Sequence, residues 1–225
     1  MTDTPDLLEI NRVGIIGDVH GEDNALEAAL LYLKSMTPSL DVLLCTGDVP
    51  AKHGIGDADR CCQLLSQGNV QTIRGNHDRW QIENASFAAE LRMDEPLTLP
   101  SRSFLRGLPK TRTFHTPLGT LLLCHGLGEN DMAGIYPGGE DAPIMEALKT
   151  MRIYSWHRFV VAGHTHKRML RPVGTVTLLN PGTLRFDENP GFALVDFNDN
   201  FVQFYDLAPF TNVVSKAERQ HLLLP

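Results

Sequence analysis

The sequence predicts an α/β (α+β) protein in which two mixed β-sheets pack against each other with helices outside. Three observations predict it. In the first half, short apolar, β-branched runs alternate with amphipathic helical stretches, as in parallel strands joined by helices. In the second half, short strands follow one another through turns, as in a meander. Five of the apolar runs also stop at a glycine and a polar residue, the mark of buried strands that deliver side chains at their C-terminal ends. These runs are Val13-Gly14-Ile15-Ile16, Val42-Leu43-Leu44, Val70-Gln71-Thr72-Ile73, Leu121-Leu122-Leu123 and Phe159-Val160-Val161.

Taken in order, residues 1–9 are a polar, acidic lead-in. Strand 12–17 ends at Asp18-Val19-His20, and an amphipathic helix over 23–36 carries Leu26, Ala29, Leu30 and Leu33 on one face before Pro38. Alternate residues of a strand project the same way, so Asp18 and His20 can reach one metal together. Strand 41–46 leads to Asp48. A loop with Pro50, Gly54 and Gly56 and a helix over 57–67 follow, then strand 69–74 and Gly75-Asn76-His77-Asp78. Helix 79–90 and a Pro/Ser-rich stretch over 94–109, with a short helix at 101–107, complete the first half. A hairpin over 111–116 and 119–124 turns at Pro117-Leu118-Gly119 and ends in His125. The Gly-rich loop 126–139, helix 140–151 and strand 158–162 lead to Gly163-His164-Thr165-His166. Strands over 168–173, 175–179, 191–197 and 201–206 follow, and residues 215–225 read as a helical tail. One domain is expected over 1–225, with its core at about 10–207 and a tail over 208–225.

Composition narrows the function classes. The net charge is −7 with no Lys/Arg cluster, which argues against a groove for long nucleic acid. Two divalent ions would add about four positive charges in one cleft and attract a phosphate there. The four cysteines do not form a disulfide framework, and no signal-peptide core or membrane-length apolar run is present, so a cytoplasmic protein is expected. Homo-oligomerisation is left open.

If the strand ends converge, four His, two Asp and one Asn meet, and that donor set suits a metal site. Phosphate-ester hydrolysis needs a nucleophile at neutral pH, neutralisation of charge and a proton for the leaving oxygen; two metals roughly 3.5–4 Å apart supply the first two. Mixed O and N ligands of borderline softness suit Mn, Fe, Co, Ni or Zn.

Asp-x-His, Gly-Asp, Gly-Asn-His-Asp, His-Gly and Gly-His-x-His, in that order, resemble the calcineurin-like metallophosphoesterase superfamily, especially its small bacterial and archaeal phosphodiesterase-like members. The resemblance implies an αββα four-layer sandwich. It implies Asp18, His20 and His166 on one metal, Asn76, His125 and His164 on a second, and Asp48 bridging both. A hydroxide shared by the metals would attack phosphorus in line. His77, matching the histidine of Gly-Asn-His, would be no ligand and would stabilise phosphoryl charge or protonate the leaving group. Asn76 and Arg79 are candidates for contacting substrate phosphate, as is Arg74, although for both arginines a surface or ion-paired role is the favoured reading. Asp78 fits either orientation of His77 or capping of the next helix.

The expected activity is hydrolysis of a small phosphodiester or nucleotide, with monoesters left open by His77. Val49-Pro50-Ala51-Lys52-His53 lacks the Asp-Arg-Gly continuation of Ser/Thr protein phosphatases and dinucleoside tetraphosphatases, which disfavours both. A non-catalytic scaffold, the role of one retromer subunit with this fold, is disfavoured because every ligand position is filled. His53 near Asp48 and the polar loop Glu129-Asn130-Asp131 are candidates for lining the cleft, and Tyr136 and Trp80 for stacking on a base, although solvent exposure and packing are the favoured readings; His115, His157 and His221 read as structural.

Overall fold

The computed structural model describes residues 9–50, 55–83, 85–90, 92 and 96–222. His53 therefore lies outside the described residues, as do residues 1–8 of the acidic lead-in. Strand β1 (Arg12–Ile16) pairs in parallel with β2 (Val42–Cys45), and β2 with the short β3 (Gln71–Thr72). On its other edge β1 runs antiparallel to β9 (Gly191–Asp196), followed by β10 (Phe201–Leu207) and β11 (Val214–His221). The second sheet orders β4 (Thr111–Thr116), β5 (Gly119–Cys124), β6 (Phe159–Val161), β8 (Val176–Asn180) and β7 (Met169–Val173), with β5, β6 and β8 parallel.

Side-chain alternation sets the layers. Val13, Ile15, Leu44, Leu121, Leu123, Phe159 and Val161 point between the two sheets and meet Phe197 and Phe204 there. The intervening Ile16, Leu43 and Cys45 face outward against α1 (Asp23–Lys34), α2 (Ala58–Gln67) and α5 (Leu99–Gly107). Leu122, Cys124, Val160 and Ala162 face α6 (Asp141–Thr150) and α7 (Ile153–Trp156). Both sheets are covered on both faces, which is why their central strands read as continuous apolar runs. The result is the expected four-layer sandwich.

Local chemistry fixes the helices. Leu26, Ala29, Leu30 and Leu33 form the buried stripe of α1, with Asp23 in its first turn and Lys34 in its last, each placed to complement the helix dipole. Asp57 caps α2 by accepting from the Arg60 N–H at 2.9 Å. α3 (Asn76–Glu83) starts three residues earlier than the sequence pattern suggests, so Asn76 and His77 occupy a helical first turn. It is followed by α4 (Ala85–Glu90).

The expected helical tail is a strand. Residues 215–221 hold Lys216-Ala217-Glu218-Arg219-Gln220, good helix formers, but β10 offers a free edge and β11 pairs with it antiparallel. Arg219 lies over the Phe201 ring at 3.7 Å, and the largely exposed, charged face of β11 suits a sheet edge. Among the described residues, no helix is long and apolar enough to cross a membrane.

Candidate metal centre

Parallel strands end on the same side of a sheet, so β1, β2, β3, β5 and β6 carry their following residues to one edge of the sandwich. Asp18, Asp48, Asn76, His125, His164 and His166 all follow those ends. Asp18, Asp48, Asn76, His20 and His125 are buried and form the floor, while His77, His164 and His166 are half-buried at the rim.

The backbone is bent to do this. His20, Asp48, His164 and His166 adopt left-handed φ values of 48°, 51°, 64° and 58°. Such a conformation costs a non-glycine residue about 1–2 kcal/mol, and its concentration here marks a functional site. It also corrects the reason given for the Asp18–His20 pair: β1 ends at Ile16, so the turned backbone at His20, and not strand alternation, brings the two together. Two glycines make room. A Cβ on Gly75 would lie 2.2 Å from Asp48 Oδ1, and one on Gly163 would lie 2.8 Å from Asp18 Oδ2.

Three groups each bring ligating atoms within 4.8 Å of one another: Asp18, His20 and His166; His20, Asp48 and His77; and Asp18, Asp48 and His125. Asp48 and Asp18 join the groups into one cluster. His20 Nε2 and His166 Nε2 face each other at 2.9 Å. The His166 Nδ1–H donates to Glu188 Oε1 at 3.1 Å, which leaves a lone pair on Nε2. On the other side, the His125 Nδ1–H donates to the Thr46 carbonyl at 2.7 Å, which aims its Nε2 at Asn76 Oδ1 at 2.9 Å and Asp48 Oδ2 at 3.3 Å, oxygens that accept the Nε2 proton the metal-free protein holds. His164 Nδ1 lies 2.9 Å from the same Asn76 oxygen. Asp18 Oδ2 is fully buried with no hydrogen-bond partner among the described residues. Ring nitrogens and side-chain oxygens that meet at 2.9–3.3 Å, with an orphaned carboxylate oxygen among them, form a mixed N and O donor set that fits metal ions.

Titration behaviour carries the same signature. Burial pushes Asp18 up to about 6. Burial opposes ionisation of Asp48 too, but His125, His77 and His20 hold it well below the usual carboxylate range. His125 goes the other way: against the effect of burial, Asp48, Asp18 and the Thr46 carbonyl raise it to about 10. Burial lowers His20, His77 and His164. A proton held that firmly at His125 shows where positive charge is stabilised.

Asp78 neither orients His77 nor acts as a simple N-cap. Its Oδ2 accepts from the N–H of Asp48 at 2.9 Å and of Gly75 at 2.7 Å, and its Oδ1 from Val49 at 3.0 Å, so it ties the Asp48 loop to the start of α3. The His77 N–H in turn donates to Asp48 Oδ1 at 2.8 Å. The His77 ring sits in ligating reach, its Nε2 3.9 Å from Asp48 Oδ2, backed by Trp80 at 5.1 Å between ring centres. Arg79 forms a two-pronged ion pair with Asp131 at 2.6 and 2.9 Å, and Arg74 pairs with Glu83 at 2.7 Å, so both guanidinium groups are engaged by carboxylates. Asp131 and Glu188 were not singled out as partners in the sequence: each lies in a polar loop, far in sequence from the residue it holds, with no motif around it.

The calcineurin-like phosphoesterase superfamily domain matches residues 12–200. The chain belongs to that superfamily. Solved structures share the fold. A hypothetical protein of Pyrococcus horikoshii aligns with a TM-score of 0.67 at 16% identity, over 95% of this chain and 88% of that one. YfcE, a phosphoesterase from E. coli, aligns with a TM-score of 0.54 at 16% identity, over 94% of this chain and 100% of that one. Vacuolar protein sorting 29 of Cryptosporidium parvum aligns with a TM-score of 0.55 at 19% identity, over 96% and 100%. No curated protein matches the sequence.

Proposed function

We propose that the protein is a dinuclear metal-dependent phosphoesterase that hydrolyses a small phosphodiester or nucleotide. The carrying observation is the convergence of lone pairs from Asp18, His20, Asp48, Asn76, His125, His164 and His166 on one half-open edge of the fold. Membership of the superfamily and the phosphoesterase activity of the E. coli relative support the reaction class. A vacuolar sorting protein shares the fold as well, so the argument rests on the donor set and not on the architecture.

Asp18, His20 and His166 would hold one ion, Asn76, His125 and His164 the other, and Asp48 would serve both. Bound there, the ions supply positive charge for the phosphoryl oxygens and lower the pKa of water to make a nucleophile. The chain supplies the rest. Thr46 and Glu188 accept the Nδ1–H of His125 and His166, so each ring aims its Nε2 into the centre, where the His125 Nε2 would bind metal on releasing its proton. Asp78 holds the Asp48 loop against α3. His77 stands on the open rim and is held neutral by burial, which suits one N–H donated to a phosphoryl or leaving-group oxygen.

Four free, buried thiols support a reducing, cytoplasmic setting, and the net charge of −7 supports a small ester over long nucleic acid. The test is hydrolysis of bis(p-nitrophenyl) phosphate and p-nitrophenyl phosphate after stripping with chelator and reloading with Mn²⁺, Ni²⁺ or Zn²⁺. Metal-dependent turnover that favours the diester supports the reading. No turnover with either ester despite bound metal contradicts it.

A further inference from the structure

The segment from Thr183 to Pro190 is stitched to one side of the metal centre at four points. Thr183 Oγ1 donates to the Asp18 carbonyl at 2.8 Å, and the Leu184 N–H donates to the same oxygen at 2.9 Å. The Phe186 N–H donates to Glu22 Oε1 at 3.3 Å, two residues beyond His20. Glu188 accepts from His166. Arg185 secures the turn from within, pairing with Asp187 at 2.8 Å and Glu188 at 3.4 Å.

A loop held this firmly presents its aromatic side chain to water. Phe186 is 44% exposed, and its ring lies 5.6 Å from that of Phe210, which is 87% exposed. Two neighbouring phenyl groups left outside the core forgo the burial such side chains usually gain. Phe186 lines an open cleft of about 800 Å³ whose other walls include His166, Lys167, Asn189 and Asp206. One expected metal ligand, His166, and the exposed Phe186 ring therefore share the walls of one cleft.

Size and charge select the occupant. The volume falls in the range of small-molecule sites, about 300–1,000 Å³. Charged and polar side chains, Lys167, Arg168, Asp187, Glu188, Asn189 and Asp206, are interleaved with the apolar walls, which suits a small ligand better than the apolar core of a protein interface. Lys167 and Arg168 face Asp187, Glu188 and Asp206, so the cleft carries no excess of positive charge for a further phosphate. It favours a neutral, flat group attached to the phosphate at the centre. The Asn189 amide, exposed on the same wall, can both donate to and accept from the edge of such a group.

Resting on the phosphoesterase reading, we propose that this cleft receives the base of a nucleotide substrate, stacked on Phe186, while the phosphate occupies the metal centre. Base-on-aromatic stacking accounts for about a tenfold to hundredfold change in affinity per base when the aromatic is removed.

The experiment is calorimetric binding of AMP and ribose 5-phosphate to the metal-loaded protein. The expected result is AMP binding at least tenfold tighter. Phe186→Ala lowers AMP affinity by about tenfold to a hundredfold while ribose 5-phosphate affinity moves less than about twofold, and Phe186→Trp retains the AMP preference. Equal affinity for the two ligands, or a Phe186→Ala variant that keeps the preference, overturns the proposal. Hydrolysis of bis(p-nitrophenyl) phosphate by the same preparation separates the two readings: turnover without AMP preference overturns the base platform alone, and AMP preference without turnover on any ester overturns the phosphoesterase reading.

Discussion

Replacing Glu188 by Ala removes the acceptor that fixes the His166 ring. The Nδ1–H to Oε1 bond is 3.1 Å long, and Glu188 is shared with Arg185 at 3.4 Å and Lys167 at 3.6 Å. A hydrogen bond to a charged acceptor contributes about 1.5–3 kcal/mol. The Glu188 side chain is 27% exposed and partly neutralised by two cations, so the lower half of that range applies. About 1.4 kcal/mol is a factor of ten, which agrees with the 10–100-fold loss of metal affinity usual when a partner behind a ligand is removed. Glu188 touches His166 and none of His125, His164 or Asn76, so only one of the two ions should feel the change. Titration calorimetry of chelator-stripped protein with Mn²⁺ reads both classes of site. The expected result is one class weakened about tenfold and the other unchanged. Equal weakening of both classes, or no weakening of either, would refute the assignment of Glu188 to a single ion's ligand.

Two further perturbations test other parts of the centre. His77→Gln should keep the metal content of the wild type and lower turnover of a chromogenic diester by about 10²–10⁴-fold, the scale of a lost positioned acid or donor; loss of metal along with rate would make His77 a ligand. The pH dependence has a fixed sign. Because His125 is raised to about 10, the metal-free protein holds that proton at pH 7.5, and binding must release it. Apparent metal affinity should therefore rise about tenfold per pH unit between pH 7 and 9, with about one proton released in calorimetry across buffers of different ionisation heat. The same raised value means His125 stabilises the metal-free fold below pH 6.5 and loses that contribution as pH rises towards 10. A flat affinity over that window would show that His125 is already neutral before metal binds.

The sequence made the site legible because its chemistry is local to strand ends. A β-branched run followed by Gly-Asp or Gly-His announces both a buried strand and the polar residue it delivers, and all five such runs form strands that end at one edge. What it hid depends on partners far away in the chain. Lys216 to Gln220 have helical propensity, and only the free edge of β10 makes them a strand. Gly75-Asn76 reads as a turn, and the carboxylates of Asp48 and Asp78 turn it into a helix start by accepting the N–H groups of His77 and Gly75. Glu188 and Asp131 sit in polar loops whose composition names no partner, until folding sets them beside His166 and Arg79. The left-handed backbone at His20, Asp48, His164 and His166 carries no sequence signal, because none of these is glycine.

The most direct test of the central claim is the number of ions bound by wild type and by Asp48→Asn. Asp48 lies in reach of His20 at 3.8 Å, His77 at 3.9 Å and His125 at 3.3 Å, so its carboxylate is the piece common to both halves of the centre. Stripped protein titrated with Mn²⁺ should take up two equivalents per chain in the wild type. The variant should lose at least one and retain little turnover. Uptake of two ions by Asp48→Asn with unchanged affinity, or of none by the wild type, would contradict a dinuclear centre built on Asp48.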